Sequence, residues 1–231
     1  MKQILQYGSK KIEYRLGFAP RKSLKISVAP DLQVSVIAPH RAHRKKIEAI
    51  LAKRAPWILK QQEYFLGFFP KQPPKKYVSG ESHRYLGRLY RLKIHRGNRE
   101  SVKLSGRFIH VECRKRTSVK SLLKVWYNDR ASVRFGIYTE KWIAHFRKYG
   151  VEPKRIIFKE MSKRWGSCTA KGNIILNTEL IKTPKGCIEY VIVHELCHLI
   201  HRNHSQKFVD LQTKVMPDWE LWKMRLEKMM A

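Results

Sequence analysis

Four of the ten histidines fall within one short stretch, at His194, His198, His201 and His204. Two of them belong to His194-Glu195-Leu196-Cys197-His198, the segment that most constrains what this chain can fold into. Thr183-Pro184 upstream reads as a helix start, with Thr as cap and Pro at the first helical position. Ile188, Val191, Ile192 and Leu196 then give that helix an apolar face. At about 100° per residue, His194 and His198 stand one turn apart on the same face. Two neutral imidazoles so placed can bind one metal ion. Glu195, beside the first ligand, can take a proton from a water held by the metal and later pass it to a leaving group. That is the H-E-x-x-H logic of zinc hydrolases.

A catalytic zinc takes three protein ligands and keeps one position open. His201 and His204 are the candidates for the third. His201 would stay on the same face of an unbroken helix, but three ligands along one straight helix surround a tetrahedral ion poorly. His204 lies beyond Arg202-Asn203, where the backbone can turn, and is our preferred ligand. The spacing H-E-x-x-H-x-x-x-x-x-H is similar to that of metzincins, except that His201 stands where those enzymes have glycine. Asn203, which tolerates a left-handed backbone, then has to make the turn. Cys197 is about 60° round the helix from His194 and reads as a buried small residue. Cys168 reads as packed, with a reactive thiol facing the site as the alternative. Met216 reads as a core methionine, and Arg164 and Tyr190 are weaker candidates for stabilising an oxyanion.

The formal net charge is +31 and its placement is uneven. Residues 1–150 hold 35 Lys and Arg against 9 acidic residues, whereas residues 151–231 hold 14 against 9. A field of this kind attracts polyanions, so DNA, RNA or a nucleotide is an expected partner of the basic N-terminal part. The four cysteines form no CxxC pair, which argues against both a disulfide framework and a zinc ribbon. No apolar run is long enough for a membrane span, and residues 1–8 lack the apolar core of a signal peptide. A cytoplasmic location without a membrane partner is the expectation.

Along the chain, residues 10–38 predict short strands and 41–66 a helix interrupted at Pro56. Gly67, Pro70, Pro73 and Pro74 mark a linker over 67–77. Residues 77–112 return to strands, and a long helix is predicted over about 118–149, between Thr117 as cap and Gly150 as stop. A hairpin is predicted over 155–178, pairing Ile156-Ile157-Phe158 with Ile174-Ile175-Leu176 around Ala170-Lys171-Gly172. After the helix that ends near Asn203, further helices are predicted over 205–215 and 218–230. No internal repeat is visible. The expected class is α+β, with a basic β-rich N-terminal module over 1–112 and a catalytic domain over 113–231.

Several segments together resemble the YgjP-like metallopeptidase family, a relative of the SprT and WLM metalloproteases. They are Met161-Ser162-Lys163-Arg164-Trp165-Gly166-Ser167-Cys168, Ile174-Ile175-Leu176-Asn177, Glu189 through His198, and Asn203-His204-Ser205. Tyr77-Val78-Ser79-Gly80-Glu81, Tyr85-Leu86-Gly87 and Trp57-Ile58 are also similar to it. The resemblance implies a zincin-like catalytic half, one Zn2+ per chain on His194, His198 and His204, and Glu195 as general base. It also implies a bacterial or archaeal protein. SprT relatives include proteases acting on proteins bound to DNA.

The reading is a zinc-dependent metallopeptidase that hydrolyses peptide bonds with Glu195 as the catalytic base, acting on protein or peptide substrates, some of them associated with nucleic acid. A metal-dependent nucleoside triphosphate pyrophosphohydrolase is the alternative, since a zinc hydroxide also attacks phosphorus. A nucleic-acid-binding protein with structural zinc is the second alternative.

Overall fold

The structure, a computed structural model, describes residues 2–29, 31–66, 74–162 and 164–230. It is α+β and divides into two compact units, residues 1–73 and 74–230. The Gly- and Pro-rich linker expected over 67–77 contains this division, although its residues 67–73 lie outside the described ones.

In the first unit, β1 (Lys2–Tyr7), β2 (Lys10–Ala19), β3 (Lys25–Val28) and β4 (Val34–Pro39) form one sheet in the order β1-β2-β4-β3. The β2–β4 pair is parallel and the other two are antiparallel. Strand alternation sends Ile12, Tyr14, Val34, Val36 and Ala38 to one face. There they meet Ile47, Leu51, Ala55 and Ile58 of α1 (Arg44–Leu66) in a single core. Pro56 was expected to interrupt this helix, yet α1 runs through it. An internal proline costs about 3 kcal/mol, and the buried face on both sides of Pro56 holds the helix together.

In the second unit, β5 (Ser82–Tyr85), β6 (Arg88–Arg96), β7 (Ser101–Ser105) and β8 (Phe108–Cys113) repeat that plan. The order is β5-β6-β8-β7, again with a parallel central pair and antiparallel edges. Each sheet is followed by a long helix, here α2 (Val119–Phe146). The topology is thus built twice, although no repeat shows in the residues themselves. Leu92, Ile109 and Val111 of this sheet share one core with Leu123, Phe135 and other residues of α2. This explains why the division falls at residue 73 and not at 112. A sheet with one apolar face is not complete without the helix that covers it, so residues 74–112 belong with the rest of the second unit.

The start of α2 also differs from expectation. A 3-10 turn at Arg116–Ser118 precedes it, and Ser118 stands at the cap position in place of Thr117. Gly150 does end the region, with φ 71° after the 3-10 turn Arg147–Tyr149.

The third sheet has the order β10-β11-β9, from β9 (Arg155–Lys159), β10 (Gly166–Cys168) and β11 (Asn173–Asn177). The predicted hairpin between the first and last of these is a parallel pair instead, Ile156 beside Ile174 and Phe158 beside Leu176. The turn at 169–172 joins β11 to β10, its antiparallel neighbour. Two apolar runs carry no sign of their relative direction, and β10 has no apolar alternation to reveal it. After a 3-10 turn at Thr178–Lys182 come α3 (Lys185–Ile200), α4 (Gln206–Val215) and α5 (Trp219–Met230). Pro184, expected at the first helical position, stands one place earlier, at the cap of α3. No helix among the described residues is long and apolar enough to cross a membrane.

Candidate metal centre

Helix α3 is buried along most of its length. Cys187, Ile188, Ile192, Val193, Leu196 and Cys197 are each at most 1% exposed. Such a helix has little freedom to shift, so whatever it displays is held by the core. It displays His194, Glu195 and His198 to a cleft of about 410 Å3, whose walls also include Gly166, Ser167 and Cys168 of β10.

The helix ends at Ile200, where His201 adopts an extended backbone (φ −122°, ψ 104°) while its N–H still donates to the Cys197 carbonyl. The chain then turns, and His204 comes back to the first two histidines before Ser205 opens α4. Ring centroids lie 4.9 Å apart for His194–His198, 5.0 Å for His194–His204 and 4.7 Å for His198–His204. Phe208 of α4 packs against all three rings at 5.0, 4.7 and 4.8 Å. One nitrogen from each ring falls within 4.8 Å of the others. His201 is outside this group and supplies only its carbonyl.

Both helix histidines are oriented from behind. Gln212 Oε1 lies 2.9 Å from His194 Nδ1, and the His201 carbonyl lies 3.1 Å from His198 Nδ1. These acceptors place the ring protons on Nδ1 and leave each Nε2 lone pair aimed at the common centre. His204 Nε2 stands 3.1 Å from His194 Nε2. Burial holds His194 well below its usual range, at about 4, and lowers His198 too, so both rings stay neutral at pH 7. This donor set fits a divalent ion that favours imidazole.

Gln212 is the residue that reasoning from sequence missed. It is 1% exposed, on the same buried stripe of α4 as Phe208 and Val215. A polar side chain among apolar ones at helical spacing was the available signal. Gln212→Ala is expected to weaken metal affinity about 10- to 100-fold without dismantling the fold, as competition with a chelating dye would show.

Glu195 is 5% exposed, and burial pushes its carboxyl up to about 7. The backbone N–H of Cys168 and the charge of Arg164 act in the opposite direction. β10 passes so close that a Cβ at Gly166 would lie 2.6 Å from Glu195 Oε1. Only glycine lets the strand and the carboxylate occupy adjacent places. Asn177, 1% exposed, secures the approach to β10. Its side-chain amide donates to the carbonyls of Met161 and Arg164 at 2.8 and 2.9 Å. Arg164 and Arg202 line the cleft as well.

Against these observations, the sequence profile of the YgjP-like metallopeptidase domain matches residues 22–229. The chain belongs to the YgjP-like family. A search of curated proteins found no match. Membership makes this a metal-dependent peptidase in general terms, and the three histidines of this YgjP-like chain offer a place for its ion.

The remaining candidates fall into place around that site. Cys197 is fully buried, and burial raises its thiol to about 12. Cys168 lines the cleft, half-buried, with its thiol raised by burial and by the Glu195 charge. All four cysteines are free. The Tyr190 ring is stacked on Trp219 at 6.2 Å and tilted against His194 at 5.8 Å, which makes it a packing residue of the site wall. Met216 donates its N–H to the carbonyl of Gln212, closing the helix that carries that glutamine.

Proposed function

We propose that the chain is a zinc-dependent peptidase of zincin-like layout, with His194, His198 and His204 holding the ion and Glu195 as general base. One observation carries this reading: three imidazoles converge at the floor of a cleft, and a carboxylate from the helix that carries two of them faces that cleft. A zinc ion held by His194, His198 and His204 would supply Lewis acidity toward a water and a substrate carbonyl. Glu195 accepts the water's proton on its carboxylate and returns it to the leaving amine. β10 is an edge strand beside this helix, so its outward backbone groups, apart from the Cys168 N–H that bonds Glu195, can align an extended peptide by strand addition. β11 is the central strand of this sheet, so the task falls to β10 and not to Ile174–Asn177.

The test is cleavage of unstructured proteins by the purified chain, before and after chelation and with zinc restored. Loss on chelation and recovery with zinc are expected. A metal-loaded chain that cuts no protein would sink the peptidase reading. The second reading is hydrolysis of nucleoside triphosphates, favoured by Arg164 and Arg202 in the same cleft. It predicts pyrophosphate release from nucleotides. A purely structural zinc is the weakest reading, because such sites are closed by four protein ligands. The charge of +31 further supports substrates associated with nucleic acid.

A further inference from the structure

The sheet β5-β6-β8-β7 buries one face against α2, and strand alternation turns the opposite side chains outward. On β6 these are Arg91, Lys93 and His95, all exposed. On β8 they are Phe108, His110 and Glu112. Pairing register sets Arg91 beside Phe108, Lys93 beside His110 and His95 beside Glu112. Lys103 of β7 flanks His110 from the other side.

These side chains form a connected surface. The Lys93 ammonium lies 3.8 Å from the centroid of the Phe108 ring. Phe108 meets His110 edge-on at 6.0 Å, and His110 lies nearly parallel to His95, with 11° between the rings and His110 Nδ1 3.2 Å from His95 Nε2. Leu89 beside them is 58% exposed. Glu112 is the single carboxylate among the paired outward residues of β6, β7 and β8. The fold does not require such rings. The first unit builds the same topology, and its outward pairs Arg15–Ser35 and Gly17–Ile37 carry none.

Cations interleaved with flat rings on an open sheet match one kind of ligand. Single-stranded nucleic acid presents phosphates and unpaired bases together, and bases stack on rings whatever their sequence. A duplex hides its bases, and an acidic peptide would use the cations but not the rings. We propose that the outer face of the β5–β8 sheet binds single-stranded nucleic acid. Bases stack on Phe108 and on the His95–His110 pair, while Arg91, Lys93 and Lys103 hold phosphates. Lys93 is exposed, and its flexible stem lets the ammonium swing from the ring to a phosphate. This deepens the association with nucleic acid put forward above and does not depend on the peptidase reading.

The experiment is fluorescence anisotropy on the full chain, with oligothymidylate, oligouridylate, a duplex and an abasic strand of equal length. At least one base-bearing single strand is expected to bind about fivefold or more tighter than the abasic strand. Phe108→Leu should erase that preference. Lys93→Glu with Lys103→Glu should weaken all strands and flatten the salt dependence by about one unit of slope for each phosphate no longer neutralised. These two lysines are exposed, so this variant still answers the question if Phe108→Leu fails to fold. Equal affinity for abasic and base-bearing strands, a preference for duplex, or wild-type binding by the lysine variant would each overturn the proposal. Glu195→Gln should bind as wild type, so failure of the peptidase reading leaves this result standing.

Discussion

Glu195→Gln is expected to lower kcat for peptide cleavage by about 10²- to 10⁴-fold while the chain keeps its metal. The substitution preserves shape in a confined place, with Glu195 5% exposed and β10 against it at Gly166. The amide oxygen can still accept from the Cys168 N–H, so the strand keeps its anchor. What disappears is a basic oxygen able to take a proton. Initial rates, metal content by mass spectrometry and a thermal melt separate these effects. Full activity in a metal-loaded variant would remove Glu195 from the chemistry. Loss of metal together with activity would mean that the residue supports the ligands instead.

The second large effect is a contrast between two histidines three residues apart. His204→Ala should lose the ion and with it all activity, because two imidazoles on one helix cannot complete the coordination of a catalytic zinc. His201→Ala should keep it. The structure uses the His201 carbonyl to orient His198, and alanine retains that carbonyl. The same preparations also give a stability readout. An ion present at 1,000 times its dissociation constant stabilises the fold by about 4 kcal/mol. Added zinc should therefore raise the melting temperature of wild type and His201→Ala clearly, and that of His204→Ala little. The reverse order would reassign the third ligand.

The site was legible in the sequence because its main parts are local. His194, Glu195 and His198 share one turn of helix, and His204 follows after a short turn, so spacing alone brings them together. Gln212 was not legible as their support, since it acts across a helix junction that no spacing specifies. The strands were legible as strands, from alternation such as Val34, Val36 and Ala38. Their partners were not. Ile156–Phe158 and Ile174–Leu176 look alike whether parallel or antiparallel, and Gly166-Ser167-Cys168 is too short and polar to announce an edge strand. Pro56 misled because a local helix penalty was outweighed by packing that only the folded unit reveals. The doubled strand order also escaped notice, since hydrogen-bond topology can recur where side chains have diverged.

The three histidines do not share one mechanical footing. His194 and His198 stand on α3, a helix encased by the core, whereas His204 stands on the exposed connection between α3 and α4. Core helices open only when the whole domain does, but exposed turns open alone and often. An ion held by all three would be gripped by two fixed fingers and a thumb. Release and uptake would run through the thumb, with timing set by the turn and not by global unfolding. On gentle heating or in mild denaturant, catalysis should fade while the helical signal is still intact, and cooling should restore it as long as the ion stays in solution.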